Sequence, residues 1–114
     1  MSQYIEETSI LDDKTKNITR AINSLKEELE AIDWYNQRVN ITSDNSLKAI
    51  MAHNRDEEIE HACMTIEWLR RNMDVWNEEL RTYLFTEGDI TGLEDGEERS
   101  SNSNDQGLNI GNMK

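Results

Sequence analysis

EEIEHACMTIEWL, residues 57–69, sets Glu58 and His61 three positions apart in a run whose apolar residues return at threes and fours. That period is helical. At ~100° per residue, Leu47, Met51, Ala62, Thr65 and Leu69 fall within about 40° of Glu58, and His61 lies about 60° to one side. Glu58 therefore sits near the middle of the helix's apolar face. An ionised carboxylate there is costly unless it is paired or bound to metal. Residues i and i+3 project the same way, so both side chains can reach one ion. Glu57 and Glu60 rotate off this face and read as surface charge. His53 lies at a less favourable angle and is left unassigned.

The segment before this helix, ITSDNS (Ile41–Ser46), carries turn and cap chemistry, with Thr42, Ser43 or Asp44 as candidate N-caps. Upstream, Ile18, Ala21, Ile22, Leu25, Leu29, Ile32 and Val39 mark an amphipathic helix from about Lys14 to Asn40. The second helix runs from about Ser46 to Asn72, and Asp74 can cap a short third one through Val75, Trp76, Leu80, Tyr83, Leu84 and Phe85. The short link between the long helices predicts an antiparallel hairpin. Two helices bury only part of their apolar stripes against each other, so a second hairpin from another chain would complete a four-helix bundle. The expected fold is all-α: a two-helix hairpin plus a short C-terminal helix, dimerising into a bundle.

On the first helix, Glu28 lies within about 60° of Ala21, Leu25 and Ile32, with Tyr35 about 20° away on its other side. Glu27 and Glu30 point some 100° or more from Glu28 and share a stripe with Trp34. By periodicity alone that stripe reads as a solvated face, because Glu is a strong helix former. Two-metal carboxylate sites in four-helix bundles take a Glu from each of two helices and a Glu-x-x-His from each of two more. Glu28, Glu58 and His61 supply half of that set. Under two-fold symmetry each chain's Glu28 bridges, while Glu58 and His61 complete one metal apiece. Carboxylates with one imidazole per metal suit Fe(II), Mn(II) or Zn(II), and the lack of thiolates in the set argues against iron–sulfur clusters.

The bulk properties narrow the field further. A chain of 114 residues is one small domain, and its formal charge of −12 opposes nucleic-acid binding, which needs a basic footprint. Cys63 is the only cysteine, so no internal disulfide can form; it fits a reducing cytosol and is expected to be a small packed side chain. No window approaches the ~18 apolar residues of a membrane span. The start, MSQYIEETSI, lacks the basic-then-apolar layout of a secretory signal. Proline is absent and all five glycines follow Glu87. The expected organisation is a flexible N-terminus to residue 13, a helical domain over 14–87, a disordered linker over 88–106 and a terminal peptide over 107–114.

EELEAIDWYNQRV (Glu27–Val39), AHNRDEEIEHACMTIEWLRRN (Ala52–Asn72) and LRTYLFTEG (Leu80–Gly88) together closely resemble the encapsulated ferritins, nearly continuously across most of residues 15–90. The resemblance implies a ferroxidase that oxidises Fe(II) to Fe(III) with O₂ at a di-iron centre between two subunits. It implies dimers assembled into an annular decamer, housed in an encapsulin nanocompartment of a prokaryotic cytoplasm that stores the iron. Position by position it makes Glu28, Glu58 and His61 the ferroxidase ligands and Tyr35 the tyrosine beside the centre. It makes Glu27 and Glu30 the acidic lining of a metal entrance and Trp34 the tryptophan next to it, which replaces the solvated-face reading. The paired acids also leave room for calcium at the entrance or in assembly. The final GLNIGNMK, with Leu108, Ile110 and Met113 as apolar anchors, is similar to a cargo-loading peptide that docks on the shell protein, with many copies on one ring adding avidity. Two other readings share these helices: an acidic hairpin that self-associates without redox metal, and a di-iron protein of peroxidase-like chemistry.

Overall fold

Helices are the only regular elements among the described residues of the computed structural model, which are 3–95. Helix α1 spans Asp13–Ile41, α2 Asn45–Asn72 and α3 Asp74–Tyr83. The two long helices follow the bounds expected from periodicity to within a residue. Asp12 caps α1: its carboxylate accepts from the Thr15 backbone N–H at 2.7 Å. Hydrogen bonds from the Thr15 side chain and backbone hold the Asp12 carboxyl below its ordinary value. Thr42 closes α1 by donating its backbone N–H to the Arg38 carbonyl at 3.0 Å. Two residues on, Asp44 accepts from the Leu47 N–H at 2.8 Å and opens α2. One residue of the ITSDNS segment thus ends a helix and another starts the next.

The chain folds as two compact units that divide between Asn72 and Met73. The first contains the hairpin. Arg55 donates to Asn36 at 3.0 Å across the helices, and Thr65 donates to Glu28 at 3.2 Å; these pairs span 19 and 37 residues. Partners that grow apart in sequence with distance from the turn define an antiparallel register. The core is thin. No residue of α1 is buried, and only Ala62 and Leu69 are buried on α2. Leu29, in the middle of the α1 stripe, keeps 52% of its surface exposed, and Ile22 and Leu47 are also exposed. One hairpin leaves its own apolar faces uncovered.

In the second unit α3 packs with a 3-10 turn at Ile90–Asp95, where Leu93 is buried. The Thr86 hydroxyl donates to the Tyr83 carbonyl at 2.7 Å, serving one of the carbonyls the helix end leaves free. Phe85 takes a left-handed φ of 58° and is almost wholly exposed, an unusual conformation for a bulky residue.

Four expectations change. Helix α3 ends at Tyr83, short of the Leu84 and Phe85 expected within it. Asp74 is the first residue of α3 rather than its cap; Met73 holds the cap position without a side-chain bond. Cys63 is exposed rather than packed, because it sits about 100° around the helix from buried Ala62. The stretch expected as linker from Gly88 is folded through its first part, where burial of Leu93 outweighs a loop-like composition. The rest of that linker, and the docking peptide with Leu108, Ile110 and Met113, lie outside the described residues.

Candidate metal site

Glu58 and His61 share one turn of α2, with Glu58 Oε1 and His61 Nδ1 3.7 Å apart and side chains 29% and 45% exposed. Donors that each sit ~2.1 Å from one metal ion lie no more than ~4.2 Å apart, so a single ion can span this pair. Part-burial beside Ala62 matches the position that periodicity gave Glu58, and the half-open faces leave both groups accessible.

Glu28 approaches from α1. It is half-buried, and its Oε1 accepts the Thr65 hydroxyl at 3.2 Å. Thr65 lies one helical turn beyond His61, whose carbonyl is also 3.2 Å from the same hydroxyl. The hairpin therefore ties Glu28 to the α2 turn that follows the one carrying Glu58 and His61. Among the described residues no three His, Cys, Asp or Glu side chains gather closely enough to hold an ion. One chain offers a two-donor pair with a third carboxylate nearby.

Tyr35 is half-buried on α1, two turns from Glu28, and the Arg38 guanidinium carbon lies 5.3 Å from its ring centre. Glu27, Glu30 and Trp34 are exposed on α1, away from the Glu28 face. Neither Glu27 nor Glu30 has a side-chain hydrogen bond or ion pair among the described residues. An acidic i, i+3 pair without a counter-charge attracts cations. Beside Thr65 the surface opens into a shallow hollow of about 280 Å³ lined by Arg20, Ala21, Ser24, Met64, Thr65 and Trp68. His53 stands 4.0 Å from Glu57 on the exposed side of α2, apart from this cluster.

Two residues escaped the sequence reading. Thr65 reads there as one more member of the α2 stripe, and Arg55 has no assignment. Periodicity puts Thr65 on the Glu58 face, but its bond to Glu28 depends on the hairpin register.

Residues 3–87 match the model of the EncFtn-like family. The chain is 54% identical over 112 residues to a ferritin-like protein of Thermotoga maritima, covering 98% of this chain and 96% of that protein. It is 51% identical over 120 residues to an encapsulated ferritin-like protein of Rhodospirillum rubrum, covering 96% and 86%. Among solved structures, protein ne0167 from Nitrosomonas europaea aligns with a TM-score of 0.75 at 56% identity, over 78% of this chain and 98% of that one.

Proposed function

The chain belongs to the EncFtn-like family of encapsulated ferritins, and on that footing we propose that it oxidises Fe(II) to Fe(III) with O₂ at a two-iron site completed by a second copy. The product iron is stored inside an encapsulin compartment. The observation that carries this reading is the Glu58–His61 pair, 3.7 Å between donors, with Glu28 bonded to Thr65 one helical turn beyond His61. Its donors are hard oxygens and an imidazole, which suit Fe(II).

Iron is the substrate. Glu27 and Glu30, exposed and without counter-charge, collect Fe(II) from solution beside Trp34. Glu28, Glu58 and His61 receive it at the face where two hairpins meet, with both copies of Glu28 bridging the pair. Each Fe(II) gives up one electron to O₂, and anionic oxygen ligands favour the Fe(III) product. Tyr35 lines the same side of α1. The uncovered stripes of α1 and α2, Leu29 foremost, support closure of the site by a second hairpin and further assembly into a ring. The terminal peptide with Leu108, Ile110 and Met113 anchors the assembly to the shell wall.

Glu28→Ala, Glu58→Ala and His61→Ala each remove one ligand. Each variant is expected to lose at least about ten-fold in the initial rate of aerobic Fe(II) oxidation, followed by the absorbance of the ferric product, while eluting as wild type does on size exclusion. Wild-type rates in all three would refute the assignment.

A further inference from the structure

We infer, on the basis of the iron-site reading above, that Thr65 is a positioning residue that aims the Glu28 carboxylate at the metal. Threonine is a poor choice for the middle of an apolar helical stripe. It is a weaker helix former than Ala or Leu, and its hydroxyl must find a partner when half-buried. The usual solution in a helix is the carbonyl four residues back. Here the Thr65 hydroxyl stands 3.2 Å from that carbonyl, on His61, and also 3.2 Å from Glu28 Oε1 on the other helix. A hydroxyl has one hydrogen to give, and an ionised carboxylate is the stronger acceptor. The bond therefore runs from α2 to α1.

Nothing else fixes that carboxylate. Among the described residues, Thr65 is the only side chain bonded to Glu28. Without it a half-buried Glu keeps the rotamer freedom of a long side chain and can turn out to water. Thr65 is β-branched and stiff at χ1, and its backbone belongs to the same helix as His61, one turn on, so its hydroxyl is a fixed point.

The residue type matters as much as the position. A carboxylate has about four lone-pair sites. A neutral hydroxyl occupies one of them at Oε1 and leaves Oε2 and the full negative charge for a cation. A Lys or Arg at this place would hold Glu28 more strongly, but its own charge would repel Fe(II). Partners that orient metal ligands in this way contribute roughly 10–100-fold to metal affinity.

The test uses the full-length protein without oxygen and Co(II) as the probe, read by its visible d–d absorption. Thr65→Val keeps the shape and removes the donor; Thr65→Ser keeps the donor. Val is expected to weaken Co(II) binding at the ligand site by about ten-fold or more. Ser, which keeps the donor without the β-branch, is expected to recover most of the affinity lost in Val, and all three proteins should show the same oligomer size. Wild-type affinity in Val would overturn the inference. If Val fails to assemble, Thr65→Ala in assembled form takes its place, and wild-type affinity there overturns it equally. Failure of the wild-type protein itself to bind Co(II) would instead overturn the iron-site reading.

Discussion

Glu67 shows how this surface holds a carboxylate that is not kept for metal. Arg70 meets it with two nitrogens at 2.8 Å and Arg71 with one at 2.7 Å, all within the last turns of α2. The Arg70 hydrogen bonds, followed by that of Arg71, pull the Glu67 carboxyl from 4.5 down to about 2. A carboxyl depressed in the fold contributes stability that is present above its unfolded pKa. That stability is lost as pH falls through the folded value, so the window runs from about 4.5 down to about 2. With 42% of the side chain exposed, screening limits the effect to below about 1 kcal/mol. Thermal melts of Glu67→Gln should therefore lie slightly below wild type at pH 6 and converge with it near pH 2. A constant gap across that range would show that the Arg pairs do not carry it. Among the described residues Glu28 has only a neutral hydroxyl as partner and Glu58 only an imidazole, which leaves their charge available. Glu58 and His61 were legible in the sequence because both lie on one helix, where spacing alone determines proximity. The Thr65–Glu28 bond was not, because 37 residues separate its ends and only the packed register unites them.

At the scale of elements, the caps and the period carry most of what the sequence discloses. Asp44 was one of three candidate caps for α2, and it is the one that directly precedes Asn45 and accepts from the Leu47 N–H. Asp44→Ala removes the acceptor from the Leu47 N–H and is expected to cost about 1 kcal/mol. In a domain of this size that lowers the melting temperature by about 4–8 °C. Differential scanning calorimetry at one fixed protein concentration measures it, since association raises apparent stability by mass action. No shift would mean that water serves the helix end as well as Asp44 does. Elements fixed by tertiary contact were harder to read. The turn at Ile90–Asp95 contains Gly92 and two acids and looks like loop; it is ordered by the burial of Leu93, which composition cannot reveal. Asn36–Arg55 likewise sets the hairpin register through side chains that no periodicity distinguishes from surface.

At the scale of the whole molecule, the thin core and the incomplete ligand set pose the same problem. A hairpin with only Ala62 and Leu69 buried leaves Leu29, Ile22 and Leu47 against water, and its Glu58–His61 pair lacks the further carboxylates that a two-iron site needs. On the proposed function, a second copy applied to the stripe face would cover the apolar side chains and supply the missing ligands in one step. That proposal makes activity depend on association. Well below the dissociation constant, dimer concentration falls with the square of chain concentration, so a two-fold dilution should cut the total Fe(II) oxidation rate about four-fold; well above it the cut should be about two-fold. Initial rates over a dilution series, paired with mass photometry at each point, locate the change between the two regimes. It should coincide with the loss of dimers and larger species. A rate strictly proportional to chain concentration where monomers dominate would place a complete site within one chain, contrary to the half-set of ligands that Glu28, Glu58 and His61 provide.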